Sequence, residues 1–151
     1  MLAPGESYSE TLPAVANAVP TARAAITEFA REAGAKGDRL QAIRLATSEA
    51  VTNAVLHAYD GISGLIQVTA SYVPGELWVL ISDTGSGLRL RTGRGGLGLG
   101  LVLIAQLADE FEILSRGTGG TELRMLFRLR SSEASDSGQV RGSVASALSP
   151  A

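Results

Sequence analysis

Three polar side chains stand four residues apart in SEAVTNAVLHAY, residues 48–59: Glu49, Asn53 and His57. An acid, an amide and an imidazole on one helix face supply a proton acceptor, a neutral metal or phosphate ligand, and a hydrogen-bonding ring. At 100° per residue the three drift by about 40° at each step, so they share a side of the helix. Their neighbours there are Leu45, Leu56, Ala42, Ala46 and Ala50, apolar or small where a solvated face would carry several Lys, Arg and Glu. Such a face suits a lined pocket. An exposed stripe with i,i+4 support is the other reading, and this helix alone does not decide between them. Leu40, Ile43, Val51, Ala54 and Ala58 form the stripe expected to face the core.

A second constellation lies in ISDTGSGLRLRTGRGGLGLGLVLIAQLAD. Asp83 ends an apolar strand, where its carboxylate can accept a hydrogen bond from an exocyclic amine, and Gly85 and Gly87 let a flat ring approach the backbone. Gly96, Gly98 and Gly100 open a helix, so bare N–H groups at its positive end can face phosphates. Together these describe a nucleotide site with separate base and phosphate ends. Gly93, Gly95 and Gly98 satisfy G-x-G-x-x-G, but they do not directly follow a strand and no later acid has ribose spacing. No Gly-Lys-Ser/Thr occurs, and Lys36, the sole lysine, is not placed as a protein kinase's phosphate lysine would be. A flexible linker would not alternate glycine with leucine.

These residues need elements to hold them. Residues 7–12 alternate as an edge strand does. Pro20 suits the first turn of a helix in which Ala22 to Ala33 is helix-forming and Gly34 is the stop. Asp38 is the expected N-cap of a second helix running to about Ala58. Leu65 to Val73 and Glu76 to Asp83 read as a hairpin around Pro74-Gly75. Seven of the 18 glycines lie between Gly85 and Gly100, after which Leu101 to Ala108 returns to helical spacing. Phe111 to Ser115 and Glu122 to Arg130 read as a closing hairpin. This order implies an α/β two-layer sandwich, with a mixed, mostly antiparallel sheet covered on one face by helices. Residues 1–130 are expected to form the domain. Residues 131–151, rich in Ser, Gly and Ala, are expected to be a disordered tail.

Composition narrows the function classes. The 151 residues suffice for one domain with one core, and 45% are hydrophobic. A net charge of −2 without any polybasic run gives no electrostatic pull toward nucleic acid or an anionic membrane. There is no Cys and only one His, so thiolate or multi-His zinc sites are excluded. No stretch approaches the roughly 18 to 20 apolar residues of a membrane span, and no leader pattern is read, so a cytoplasmic protein is expected.

The motifs resemble those of a known family. EAVTNAVLHAY resembles the N-box, DTGSG the first glycine box, GLGLGL the second and GGTEL the closing Gly-Gly-Thr box of the GHKL ATP-binding superfamily, in that order. The resemblance covers about residues 7–130. The form E-A-x-x-N-A-x-x-H-A-Y and the segment LADEFEILS look most like anti-sigma-factor serine/threonine kinases. The implied fold is the Bergerat ATP-binding sandwich, and the implied ligands are ATP and Mg²⁺. By position, Glu49 would be the catalytic base for a substrate hydroxyl and Asn53 the Mg²⁺ ligand, with His57 a phosphate contact. Asp83 would bind the adenine amino group, Thr121 assisting through its hydroxyl or a water. Gly85 and Gly87 would admit the adenine, and Gly96, Gly98 and Gly100 would frame the phosphates and hinge the lid. The implied partners are a sigma factor and an antagonist protein, with a homodimer possible and the first helix as a candidate contact.

The chain departs from the family in one place. Only the eight residues LRLRTGRG separate Gly87 from Gly96, a shorter lid than in those kinases, in which Arg89, Arg91 and Arg94 are either phosphate contacts or solvated charges. Two alternatives to an active kinase follow: a non-catalytic ATP-dependent binding module, or a detached histidine-kinase catalytic domain. The second is the weaker, since His57 lies inside the N-box and there is no other histidine.

Overall fold

The computed structural model describes residues 2–57, 64–84, 97–115 and 119–129, with only the backbone at 57 and 97–99. Its elements run β1 (Ser7–Pro13), α1 (Ala18–Glu32), α2 (Gly37–His57), β2 (Leu65–Val73), β3 (Glu76–Asp83), α3 (Leu97–Leu107), β4 (Glu110–Ser115) and β5 (Thr121–Arg128). The five strands form one sheet in the order β1-β2-β3-β5-β4. Every pairing among them is antiparallel, the antiparallel limit of the expected mixed, mostly antiparallel sheet. The physical reason is connectivity. A tight turn joins β2 to β3, β4 and β5 are consecutive and pair antiparallel, and α3 with β4 separates β3 from β5 so that β5 returns antiparallel beside it.

Period-two alternation divides the sheet into two faces. Ile66, Val68 and Ala70 of β2, Leu77, Val79 and Ile81 of β3, and Leu123, Met125 and Phe127 of β5 are all buried under the helices. The other face carries Thr69, Ser71, Trp78, Leu80 and Arg124. Each fully buried Ile, Leu or Phe contributes about 2 kcal/mol relative to exposure, so this nine-residue inner face is the main adhesive of the two layers. At the edge, Tyr8 donates to Glu10, and burial together with that carboxylate pushes the phenol up to about 12.

α1 begins at Ala18, which puts Pro20 in its first turn as expected, where a missing N–H costs nothing. It ends as predicted. Gly34 takes φ +108°, its N–H donates to the Arg31 carbonyl at 3.0 Å, and the Ala35 N–H donates to the Ala30 carbonyl at 2.9 Å. These are the two bonds of a Schellman stop, and buried Ala35 supplies its apolar contact. In α2, Asp38 lies within the first turn and is not the cap; an acid there still favours the positive helix end. The helix reaches His57, and Ala58 lies outside the described residues. α3 starts at Leu97, four residues before the expected Leu101, and β5 starts at Thr121. No described helix is long and apolar enough to cross a membrane.

Candidate functional site

The base end of the expected site is built by strand register. Asp83 is the last residue of β3 and pairs directly with Thr121, the first of β5, and with Ile66 of β2 on its other side. All three point toward the helical layer, and Asp83 is only 3% exposed. The next row on this face is Val68, Ile81 and Leu123, so a carboxylate and a hydroxyl border an apolar floor. That combination suits a flat heterocycle with an exocyclic amine.

Gly120 locks this end in place. It has φ +93°, and a Cβ added to it would lie 2.0 Å from the Asp83 carbonyl oxygen and 2.6 Å from the Thr84 Cα. Only glycine permits both the backbone conformation and the approach. This residue was not among the sequence candidates. Its signal was available in the Gly119-Gly120 pair immediately before Thr121.

The phosphate end is built by helix packing. Glu49 and Asn53 lie one turn apart on α2, which packs against β3, β5 and α3. Asn53 is 4% exposed and Glu49 is half-buried. A Cβ on Gly100, in the first turn of α3, would stand 3.0 Å from Asn53 Nδ2, 3.1 Å from Asn53 Oδ1 and 3.2 Å from Glu49 Oε1. The amide and the carboxylate therefore converge on one bare point of the α3 backbone. Among the described residues, Asn53 Nδ2 has no hydrogen-bond partner. A buried amide left in this state is costly, on the order of 1–3 kcal/mol, unless a ligand completes it.

This refines the helix-face reading. Ala46 and Ala50, placed beside the polar stripe, are themselves buried, while Leu45 and Leu56 are exposed. The polar face is thus the border between the core and α3, with Asn53 on its buried side. An exposed stripe is excluded for Asn53. Gly98 lies in the first turn of α3, where N–H groups have no intrahelical acceptor. The side chain of His57 and the residues Gly85, Gly87, Arg89, Arg91, Arg94 and Gly96 lie outside the described residues.

The orphaned Asn53 amide, the adjoining Glu49 carboxylate and the side-chain-free Gly100 fit a metal-bound polyphosphate. An Asn oxygen is a hard neutral donor suited to Mg²⁺, and its NH₂ can donate to a phosphate oxygen.

The chain also has known relatives. Residues 12–127 match the family model described as "Histidine kinase-like ATPase domain". The chain is 29% identical to the anti-sigma F factor of Clostridium kluyveri over 115 residues, covering 69% of this chain and 81% of that protein. It is likewise 29% identical to the anti-sigma F factor of Caldanaerobacter subterraneus over 117 residues, covering 69% and 80%. A crystal structure of the RsbU and RsbW domains of a Mycobacterium tuberculosis protein superposes with a TM-score of 0.66 at 33% identity, covering 84% of this chain. This chain spans 33% of that longer one. The matched segment contains Glu49, Asn53, Asp83, Gly100 and Thr121, and the chain belongs to the histidine kinase-like ATPase domain family, with the GHKL fold.

Proposed function

We propose that the chain is an ATP-binding anti-sigma factor that acts as a serine/threonine protein kinase, sequestering a sigma factor and phosphorylating an antagonist protein. The observation that carries this reading is the convergence of Glu49 and Asn53 beside Gly100, with a buried amide poised for a ligand. ATP binding follows from the family; the remaining assignments are proposals about this chain's residues.

Asp83 accepts a hydrogen bond from the adenine amino group, and Thr121, its strand partner, stands beside the ring edge. Asn53 would hold Mg²⁺, whose charge would neutralise the polyphosphate. Glu49 accepts the proton of a Ser or Thr hydroxyl as that oxygen attacks the γ-phosphorus. The bond from phosphorus to the β–γ bridging oxygen breaks, and ADP leaves. Because such transfers depend on positioning more than on covalent help, one carboxylate near the metal ligand suffices.

The test is transfer of labelled phosphate from ATP to a candidate antagonist in the presence of Mg²⁺. Transfer that Glu49→Ala abolishes supports the kinase. Transfer undiminished in that variant removes it.

A second reading, a binding module in which ATP only sets the shape of the partner surface, is favoured by the eight-residue lid between Gly87 and Gly96. On that reading Asn53→Ala loses both nucleotide and sigma-factor capture, and Glu49→Ala keeps both.

A further inference from the structure

α3 presents Gly100, Ile104 and Leu107 at helical spacing on the face that meets the rest of the fold. Ile104 is fully buried and Leu107 packs against the core. Gly100 is buried as well, yet it fills nothing. A glycine inside a helix is less stable than alanine at the same place, because its backbone loses more freedom on folding. Core packing therefore does not account for it. A methyl group there would approach three polar atoms of Asn53 and Glu49 at 3.0 to 3.2 Å, tighter than ordinary van der Waals contact.

We propose that Gly100 is a positioning residue: its missing side chain sets the clearance between α3 and α2 that holds the Asn53 amide and Glu49 carboxylate at their working separation. This rests on the nucleotide reading and adds to it. Gly100 acts on two side chains of α2 and need not touch a phosphate itself. The mechanism is steric and local to the phosphate end, since the three nearest atoms a Cβ at Gly100 would meet all belong to Asn53 and Glu49.

The two roles of a glycine at this position predict opposite signs for Gly100→Ala. Helix propensity favours alanine, so the thermal midpoint of the full chain holds or rises. A shift of a few tenths of an ångström in Asn53 or Glu49 moves the metal ligand and the base away from productive geometry, so affinity for ATP with Mg²⁺ falls about tenfold or more. Affinity for ADP in EDTA, which relies on the base end, stays within about twofold of wild type.

Calorimetric titrations of both ligands against both proteins, with a melting curve for each, read all three quantities. Equal Mg²⁺-ATP affinity in wild type and variant overturns the proposal. So does a parallel loss for both ligands, or a lowered midpoint, either of which makes Gly100 a general packing residue. If wild type itself shows no gain in ATP affinity on adding Mg²⁺, the metal-ligand reading of Asn53 falls first and this proposal with it.

Discussion

The two ends of the proposed site are held by different kinds of structure. At the base end, Asp83 and Thr121 are fixed by antiparallel register on adjacent strands, and Gly120 seals the turn against the Asp83 carbonyl. At the phosphate end, Asn53 and Glu49 are fixed by the packing of one helix on another across a single glycine. Strand register moves only in whole residues, because a one-residue slip turns every side chain to the opposite face. Helix packing can adjust by fractions of an ångström. The base end is therefore built as a fixed anchor, and the phosphate end can be retuned by small changes in α3.

Changes at the two ends should accordingly differ in kind. The largest effect is expected from Glu49→Gln, which keeps the shape but removes the proton acceptor. Phosphotransfer should fall about 10²- to 10⁴-fold with little change in ATP affinity, as single-turnover kinetics beside calorimetry would report. Next comes Gly120→Ala. The 2.0 Å overlap with the Asp83 carbonyl and the unfavourable φ cannot be relieved by a rotamer, so chemical denaturation should show about 2–4 kcal/mol of lost stability. Stability near wild type would mean the base end is softer than described.

Asp83→Asn should be milder. It keeps the strand ladder and weakens one charge-assisted hydrogen bond, costing about 2 kcal/mol of ATP affinity in calorimetry, equally with and without Mg²⁺. An effect that appears only with Mg²⁺ would merge the two ends into one. The smallest effect belongs to Arg39, whose guanidinium donates to Asp109 Oδ2 at 3.2 Å and ties the start of α2 to the turn after α3. Both partners are partly solvated, so Arg39→Ala should cost less than about 1 kcal/mol in denaturant titrations, shrinking further in high salt.

Much of this arrangement was legible in the chain. The β2–β3 hairpin matched its expected bounds because alternation and Pro74-Gly75 act locally. Gly34 likewise ended α1 through local backbone chemistry. The ordered boxes assigned Asp83 and Thr121 to one end of the expected site, and the strand register pairs them directly. What remained hidden depends on tertiary packing. The exact start of α3 at Leu97 was blurred because glycine is a poor helix former: Gly96, Gly98 and Gly100 read as the helix opening, but regular helical spacing showed only from Leu101. The burial of Asn53 was equally hidden. Helical spacing placed it off the core stripe, and in the fold α3 packs on α2 with Gly100 beside its amide. Gly120 escaped for a related reason, since its necessity comes from the Asp83 carbonyl, 37 residues earlier in the sequence.

The central proposal is that Asn53 holds Mg²⁺ beside a bound nucleotide. It is tested most directly by titrating ATP into wild type and Asn53→Ala, each with Mg²⁺ and with EDTA. The account predicts that Mg²⁺ strengthens ATP binding to wild type by about tenfold or more and leaves Asn53→Ala unchanged, while both proteins bind ADP alike in EDTA. An Asn53→Ala protein that keeps the full Mg²⁺-dependent gain would contradict it.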